Sequence, residues 1–491
     1  MTSRREKNLK SQLPSEITSL LSSLNGSRHE AYIVGGCVRD VLLNRKPADW
    51  DITTDATPEQ IQELFSDTYY NNVYGTVVVH AGEIDVEVTP YRTEVGYSDQ
   101  RHPDEVHFGK SLREDLLRRD FTMNAIAYGR KRATAAFELV DPFNGQNDIR
   151  DRLIRTVGNP DERFREDALR LLRALRFTST LGFHIERATW DSIIRHVPDI
   201  ERVSRERIRD ELLNILVSDY PITAFWLMLE SGMMKIVLPE LEHGAHVGQN
   251  LHHIYSVLFH NLLSMQYCPS DDPLVRLAAL LHDVGKPDVK QGDGKYSTFH
   301  GHDIVGARIA RRLMRRLKFS NEDIEKVTHL VRHHMFYYSI GEVSDAGVRR
   351  LLKRIGPDQI DDFLAVRIAD RMGSGTQVEM PKKLHVLLQH MHDVQRDPIS
   401  VTNLAVNGYD LIKEFHLEPS PIIGALQEAL LEKVLDDPSL NTREKLFELA
   451  RGLDREQILA EYRERRKKNQ EESRRLFEEG VDAQALEKQI S

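Results

Sequence analysis

Cysteine is scarce in this sequence: the 491 residues include only Cys37 and Cys268, which lie far apart. Two such cysteines exclude the disulfide framework of a small secreted domain and suit a reducing compartment. Long apolar stretches are also missing, since no run approaches the length of a membrane-spanning helix. The N-terminal stretch MTSRREKNLKSQLPSEITSLLSS lacks the apolar centre of a signal peptide. We therefore expect a cytoplasmic protein without a membrane partner.

Positive charge is not in excess either. The 67 Lys and Arg residues are outnumbered by 76 Asp and Glu residues, which gives a formal net charge of -9. A nucleic-acid partner would have to be bound through local basic patches, because phosphate contacts are made by individually placed Lys and Arg side chains. The segment RIARRLMRRLKF (308–319) is one candidate, with Arg308, Arg312 and Arg315 on one face of the expected helix. A solvated basic face is the alternative interpretation.

The pattern of the sequence changes along the chain, whose length predicts about three domains. Apolar, β-branched runs up to about residue 150 predict strands mixed with helices, namely AYIVGG, WDIT, GTVVVHAG and IDVEVTPYR. Amphipathic helices follow almost throughout. We predict an N-terminal extension (1–25), an α+β head (26–150), a helical neck (151–245), a histidine-rich helical domain (246–395), a C-terminal helical region (396–455) and a charged helical tail (456–491).

The segment IVGGCVRDVLLNRKPADWDIT (33–53) contains two aspartates one residue apart, Asp49 and Asp51. Side chains at i and i+2 of a strand point to the same side of the sheet, so these carboxylates repel each other unless a cation lies between them. Mg²⁺ suits the position because it prefers oxygen ligands and phosphates. The alternative is a purely structural role, in which the two aspartates only cap turns around Trp50.

Neighbouring features support a site for a magnesium-bound triphosphate. The glycines Gly35 and Gly36 precede a helix and offer backbone N–H groups, while Arg39 adds positive charge. A third acid is expected from an adjacent strand. The strand IDVEVTPYR offers Asp85 and Glu87, again at i and i+2.

Several spaced motifs resemble the nucleotidyltransferases of the poly(A) polymerase and tRNA CCA-adding type, class II. The first motif is VGGCVRDVLLNRKPADWDIT, and LLRRDFTMNAIAY (116–128) matches the second. RFREDALRLLRALRF (163–177) matches the family's nucleobase-reading motif, and SRERIRDELLNIL (204–216) resembles the helix that follows it. The likeness extends more loosely to the C-terminus, which resembles the tail of bacterial members carrying a histidine–aspartate (HD) domain.

The resemblance implies a polymerase-β-like head with a small mixed sheet, followed by all-α neck, body and HD domains. It implies template-independent addition of C, C and A to tRNA from CTP and ATP, with the acceptor stem and elbow recognised by shape. Asp49 and Asp51 would hold Mg²⁺, with Glu87 rather than Asp85 as the further acid. The implied nucleotide-binding residues are Gly35, Gly36, Arg39, Arg119, Asp120, Asn124, Glu166, Asp167, Arg170, Arg173 and Arg176.

The base-reading motif also has a physical interpretation. Asp167 and Arg170 lie three residues apart, so on a helix they would project from one face. A carboxylate accepts hydrogen bonds and a guanidinium donates them, so the pair can imitate the edge of a base. C and A present an amino donor beside an acceptor, whereas G and U would leave polar groups unpaired. The alternative is a helix with intrahelical salt bridges.

The polar segment YSDQRHPDEVHFGKS (97–111) has no periodicity and is predicted to be a long functional loop. It resembles the flexible segment that the family associates with switching to adenosine, which argues against a relative that adds only C. Three alternatives remain open: an enzyme that adds only A or a poly(A) tail, an RNA-binding scaffold with a degenerate head, and a phosphohydrolase whose nucleotide addition is vestigial.

The histidine-rich segment predicts a second metal site. His282 and Asp283 are adjacent in LAALLHDVGKP, and His302, His333 and His334 follow downstream. Imidazole and carboxylate ligands suit a transition metal, or Mg²⁺ where oxygens dominate. Similarity to the HD phosphohydrolase superfamily implies the ligands His260, His282, Asp283 and Asp370 for Mg, Mn, Ni or Co. The alternatives for the first ligand are His252 and His253, and members of the superfamily differ in whether this site hydrolyses a phosphoester.

Overall fold

The computed structural model of the protein describes residues 9, 11–71, 75–95, 105–108, 111–249, 255–336, 343–375 and 382–478. The chain divides into two compact units, Met1–Pro239 and Glu240–Ser491. No helix among the described residues combines the length and the apolar character needed to cross a membrane.

The first unit contains a mixed sheet of seven strands. Its strands in chain order are β1 Ala31–Val34, β2 Trp50–Thr54, β3 Thr68–Asn71, β4 Thr76–Ala81, β5 Ile84–Pro90, β8 Ala127–Arg130 and β9 Glu138–Val140. Across the sheet the order is β3-β4-β5-β2-β1-β8-β9. Strands β2 and β5 are parallel, and the other neighbours are antiparallel. The predicted α+β class with a small mixed sheet is confirmed.

Two smaller strand pairs complete the first unit. Strands β6 Arg92–Val95 and β7 Glu105–Phe108 form an antiparallel hairpin, and β10 Leu153–Ile154 runs parallel to β11 His184–Ile185. The prediction of an irregular loop is therefore wrong for residues 105–108. Their apolar residues alternate with polar ones, a period of two that the polar flanks concealed. Residues 97–104 and 109–110 of the predicted loop lie outside the described residues.

The helices of the first unit precede, interrupt and follow the sheet. They are α1 Ser15–Gly26, α2 Gly36–Leu42, α3 Pro58–Leu64, α4 Leu112–Leu117, α5 Gly145–Asp151, α6 Pro160–Glu166, α7 Leu169–Leu181, α8 Arg187–His196, α9 Arg205–Leu216, α10 Pro221–Glu230 and α11 Met234–Val237. Helix α12 Pro239–Glu242 begins at the last residue of the first unit, and its other residues belong to the second. Helix α7 buries Leu169, Leu172 and Leu175 on one face, as its sequence pattern predicts. Helix α9 begins after Ser204, also as predicted.

The sheet has one face that packs into the core and one that remains open near its centre. All four residues of β1 are buried. In β5 the side chains of Val86 and Val88 are buried, whereas those of Asp85 and Glu87 are exposed. This alternation follows from the pleat of the strand, and it places the acidic residues of β5 on the open face.

The regular elements described in the second unit are helices, apart from an isolated pairing of Gln291 with Thr298. Its helices are α13 Val257–Gln266, α14 Pro273–Leu281, α15 Lys286–Val289, α16 His302–Arg316, α17 Asn321–His333, α18 Asp345–Ile355, α19 Ile360–Gly373, α20 Lys382–Val394, α21 Gly408–Phe415, α22 Pro421–Asp436, α23 Arg443–Gly452 and α24 Arg455–Glu478.

The basic helix α16 does not present all its arginines to solvent. Arg311 is buried and forms a bidentate ion pair with Glu325, with N–O distances of 2.5 and 2.7 Å. Arg316 pairs with Glu240 at 2.9 Å. Arg312 and Arg315 are exposed. The positive charge of the helix is therefore partly neutralised within the unit.

Candidate functional site

Three carboxylates lie close enough for their charges to interact beside the open face of the sheet. Asp49 immediately precedes β2, Asp51 is the second residue of β2, and Glu87 is the register partner of Asp51 on β5. Register partners in neighbouring strands point to the same face. Burial raises the pKa of Asp51 to about 6, against the opposing charge of Arg119, and the charges of Asp49 and Glu87 add to the rise. The three acids thus form one anionic cluster that would accept a cation.

The alternative third acid, Asp85, has another partner. It is the register partner of His80 on β4, and its Oδ1 lies 2.5 Å from His80 Nδ1. Asp85 therefore shares its charge with an imidazole, whereas Glu87 stands opposite Asp51. This arrangement favours Glu87, in agreement with the sequence-based preference.

The glycine turn before α2 brings Arg119 next to the carboxylates. Gly35 has a φ of +85°, a conformation that side chains disfavour. A Cβ at this position would lie 2.8 Å from Arg119 Nη1 and 3.7 Å from Asp51 Oδ2. A side chain here would displace the Arg119 guanidinium and strain the backbone, so the turn, the arginine and the aspartate form one site.

A hydrogen-bonded chain links Arg39 with the residues of the RRDFT motif. Arg39 Nη1 donates to Asn124 Oδ1 at 2.8 Å, and Asn124 Nδ2 donates to Asp120 Oδ1 at 3.2 Å. Arg173 on α7 donates to Asp120 Oδ2 through Nε and Nη2 at 2.9 and 2.7 Å. Burial would raise the pKa of Asp120, but Arg173, helped by Arg170, lowers it to about 2. The predicted nucleotide residues of α2, the RRDFT motif and α7 are therefore brought together.

The geometry predicted for the base-reading pair is wrong. Asp167 and Arg170 do not share a helix, because Asp167 has extended dihedral angles after the end of α6 and Arg170 lies in the first turn of α7. The Asp167 side chain accepts the backbone N–H of Leu169 at 3.1 Å. Aspartate competes well for such N–H groups at helix starts, so the chain breaks between α6 and α7.

Asp167 and Arg170 each have firm partners of their own. Arg207 on α9 donates to both oxygens of Asp167, at 3.1 and 2.7 Å. Arg170 Nη1 donates to Glu166 Oε2 at 2.6 Å and to the Arg163 carbonyl at 3.0 Å, and its Nη2 donates to the Arg118 carbonyl at 3.0 Å. The supporting role predicted for Glu166 thus has a geometric counterpart, whereas the role of Arg207 was missed.

The arginines Arg173 and Arg176 lie around an aromatic ring. Their guanidinium carbons lie 5.6 and 4.6 Å from the centre of the Phe177 ring, and that of Arg39 lies at 5.2 Å. Arg176 Nε also lies 2.6 Å from Glu211 of α9, a buried acid that sequence reasoning missed. Glu211 lies in the motif SRERIRDEL, which was recognised in the sequence, but its contact with Arg176 was not predicted.

The second unit contains a buried histidine and aspartate cluster. His260 Nε2 lies 3.0 Å from His282 Nε2 and 3.3 Å from both Asp283 Oδ2 and Asp370 Oδ1. The four ligands predicted from the sequence are thus brought together. His252 and His253, the alternatives for the first position, lie outside the described residues.

Two further histidines belong to the same cluster. His302 Nε2 lies 3.3 Å from Asp283 Oδ1 and 3.3 Å from His334 Nε2, while His334 Nε2 lies 3.7 Å from Asp283 Oδ1. Asp283 therefore faces two groups of ligands, one with each oxygen. Both histidines stand in the histidine-rich segment of the sequence, but neither was predicted to be a ligand. His333 packs instead against His329, with ring centres 4.7 Å apart.

The imidazole orientations suit a metal centre. The Nδ1 atoms of His282, His302 and His334 lie 2.7–2.8 Å from the carbonyl oxygens of Ala279, Phe299 and Val331. A carbonyl only accepts, so each Nδ1 carries the proton and each Nε2 can direct a lone pair into the cluster. Burial disfavours the carboxylate form of Asp283, but Lys286 and the histidines outweigh it and hold the pKa of Asp283 well below its usual range. This donor set would accommodate one or two divalent cations.

Models of known protein families match most of the chain. The Poly A polymerase head domain matches residues 31–155, and the Probable RNA and SrmB-binding site of polymerase A matches residues 182–244. The HD domain matches residues 243–359, and tRNA nucleotidyltransferase domain 2 matches residues 304–450. These matches include both clusters described above.

Individual relatives carry the same relationship along nearly the whole chain. The CCA-adding enzyme of Lactococcus lactis is 32% identical over 423 residues, covering 85% of this chain and 92% of that protein. The Enterococcus faecalis enzyme is 31% identical over 449 residues, covering 89% and 95%. The match to the Staphylococcus saprophyticus enzyme is 47% identical but spans 42% of this chain and about half of that relative, 51%.

Solved structures agree with these relatives. The Bacillus stearothermophilus CCA-adding enzyme in complex with CTP has a TM-score of 0.68 at 26% identity, covering 93% of this chain and 100% of that chain. The Thermotoga maritima CCA-adding enzyme complexed with tRNA shares the fold, with a TM-score of 0.59 at 19% identity, covering 91% and 98%. The chain therefore belongs to the family of CCA-adding enzymes.

Proposed function

We propose that this protein adds C, C and A to the 3′ end of tRNA, without a nucleic-acid template, from CTP and ATP. The observation that carries the proposal is the cluster of Asp49, Asp51 and Glu87 beside Gly35 and Arg119. Nucleotidyl transfer requires carboxylates that bind a cation next to a positively charged place for a triphosphate. The names of the relatives from Lactococcus and Enterococcus support the same activity.

The carboxylate cluster fits Mg²⁺, because all its donors are oxygens. Asp49 and Asp51 would hold the ions and Glu87 would complete the site. When bound, Mg²⁺ supplies neutralisation of the triphosphate and activation of the attacking hydroxyl. The chain itself supplies orientation: Gly35 and Gly36 let a phosphate approach the backbone, and Arg119 contributes a guanidinium beside it.

Asp167 and Arg170 retain the hydrogen-bonding capacity that base selection needs. A carboxylate has about four acceptor positions, and Asp167 uses three of them, on the Leu169 N–H and Arg207. Arg170 has used three of about five donors among the described residues. An acceptor on Asp167 and donors on Arg170 therefore remain for the amino group and the ring acceptor of C or A.

A single-nucleotide assay tests the proposal and its alternatives. We expect tRNA that lacks its 3′ end to gain two C residues from CTP alone, and A only when CTP is also present. Long A tails from ATP alone would identify a poly(A) polymerase. Binding of tRNA without any addition would identify a scaffold.

The proposed partners are tRNA, CTP and ATP. Because these partners occur in the cytoplasm, we also propose that the protein acts there.

We propose a second activity, phosphoester hydrolysis, for the histidine cluster. The observation that favours it is the position of Asp283, which faces His260 and His282 with Oδ2 and His302 and His334 with Oδ1. Imidazole and carboxylate donors fit Mg, Mn, Ni or Co. Such ions support hydrolysis by polarising a phosphoryl group. The chain holds the donors in place through buried backbone hydrogen bonds.

Metal counting on wild type and His302→Ala tests this second proposal. We expect two divalent ions per wild-type chain by native mass spectrometry and one in the variant, with loss of 2′,3′-cyclic phosphate hydrolysis. A wild-type chain that binds no divalent ion and hydrolyses no phosphoester would refute it.

A further inference from the structure

Asp115 on α4 is a buried acid outside the carboxylate cluster. Its side chain is fully buried, at 0% exposed, so its charge must be compensated by neighbouring groups. Arg118 donates to its Oδ1 through Nε and Nη2, at 3.0 and 2.7 Å. Burial would raise the pKa of Asp115, but Arg118 and Arg119 lower it, so the group remains a carboxylate.

The other oxygen of Asp115 connects two parts of the nucleotide site. Arg119 Nη2 donates to Asp115 Oδ2 at 3.4 Å, and the Thr53 hydroxyl of β2 donates to the same oxygen at 3.4 Å. Thr53 lies two residues beyond Asp51 on the same strand. Asp115 therefore ties Arg119 to the strand that carries a metal-binding aspartate.

The two adjacent arginines have different surroundings. Arg118 uses its guanidinium on Asp115, and its backbone carbonyl accepts Arg170 Nη2 at 3.0 Å. Arg119 donates a hydrogen bond from Nη2 to Asp115, and its Nη1 lies beside Gly35. Arg118 thus connects Asp115 with Arg170, while Arg119 faces the place proposed for the triphosphate.

We infer that Asp115 is a positioning residue of the nucleotide site, which holds Arg119 beside Gly35 and fixes the Arg118 carbonyl that receives Arg170. This inference rests on the proposed nucleotidyl transfer. Asp115 lies outside the carboxylate cluster, and it acts through the two arginines. Its removal should weaken binding of the nucleotide more than it slows the chemical step, because the metal-binding carboxylates stay in place.

The test is Asp115→Asn, which keeps the shape of the side chain and removes its charge. We expect the KM for CTP and for ATP to rise about tenfold or more, since a charged hydrogen bond to each arginine is weakened. The KM for tRNA should change little, whereas the melting temperature should fall, because the variant removes one charge of a buried ion pair. Inhibition by CTP analogues should weaken more than inhibition by CMP, because Arg119 is proposed to face the outer phosphates.

Two further variants keep the test decisive. Asp161→Asn, which removes an acid paired with Arg195 and Ser192, is the matched control and should leave the KM for CTP unchanged. Thr53→Val removes only the hydroxyl that reaches Asp115 and should raise the KM for CTP by a smaller factor. It also decides the matter if Asp115→Asn fails to fold, because an unchanged KM in Thr53→Val would then overturn the inference.

An unchanged KM for CTP in a folded Asp115→Asn variant would overturn the inference. So would equal losses for CTP, CMP and tRNA, which would indicate a purely structural role. If wild type adds no nucleotide at all, the proposed transfer fails, and direct CTP binding to wild type and Asp115→Asn decides the role of Asp115 separately.

Discussion

The carboxylate cluster of the first unit and the histidine cluster of the second differ in donor type and in burial. The first contains only oxygen donors, and Asp49 and Glu87 are exposed. The second contains four imidazoles with two carboxylates, and His260 and His282 are buried. An exposed oxygen site suits Mg²⁺ that arrives with a nucleotide, whereas a buried nitrogen-rich site suits a resident ion that contributes to the fold. The comparison predicts that loss of a ligand affects activity in the first site and metal-dependent stability in the second.

The largest expected effect is that of Asp51→Asn on nucleotide addition. The rate should fall at least about a thousandfold, since a lost metal ligand removes several kcal/mol of transition-state stabilisation. The melting temperature and tRNA affinity should stay close to the wild-type values. Primer extension with radiolabelled CTP checks the rate, and retention of more than about a tenth of it would contradict the proposed role of Asp51.

Asp283→Asn should have the opposite effect to Asp51→Asn, with loss of metal-dependent stability and retention of nucleotide addition. Saturating divalent metal stabilises a folded protein by about 3 kcal/mol at one hundred times the dissociation constant, and the variant should lose this gain because both ligand groups share Asp283. Addition of C and A should remain within about twofold of wild type. The measurement is the metal-induced change of melting temperature, taken within each protein so that the apo stabilities cancel. A variant that loses addition along with the metal response would contradict the separation of the sites.

Arg170→Ala sharpens the comparison within the first unit, because Arg170 is proposed to select bases and not to bind the cation. Discrimination against UTP should fall by about tenfold or more, since the penalty for unpaired polar groups is removed. Competition between CTP and UTP, read by sequencing of the products, measures it. A variant that is slower but equally selective would indicate a role in phosphate binding instead.

The smallest expected effect is a pH dependence from Asp120. The folded-state pKa of this acid lies below its unfolded value, at about 2, so its contribution is fully present above about pH 4 and is lost as the pH falls toward 2. The contribution is about 2 kcal/mol, given the shift of nearly two pKa units. Urea unfolding of wild type and Asp120→Asn from pH 5 to about 2 checks it. Parallel pH profiles for the two proteins would show that Asp120 does not contribute.

The sequence predicted what depends on local pattern. The pleat of the predicted strand placed Asp49 and Asp51 on one side, and a neighbouring strand was expected to supply the third acid. In the structure Asp49 lies just before β2, and the register of β2 with β5 sets Glu87 opposite Asp51. The predicted helix through Asp167 was wrong, because the Asp167 side chain captures the Leu169 N–H and breaks the helix. The spacing of residues in the sequence does not reveal this local competition for the backbone N–H.

Contacts between segments far apart in the sequence could not be predicted from local sequence patterns. Arg207 meets Asp167 across forty residues, and Glu211 meets Arg176 in the same way, between helices whose packing no short motif specifies. His302 and His334 join Asp283 only because three helix ends converge. The sequence shows that these residues are present, but it does not show that they lie next to each other in the fold.

The most direct test of the account uses three tRNA substrates, which end before CCA, after its first C and after both C residues. Each is incubated with wild-type protein, Mg²⁺, CTP and ATP, and the 3′ ends are sequenced. We expect all three products to end in the same CCA and extension then to stop. Extension of the third substrate alone, or A tails of open length on any of them, would contradict it.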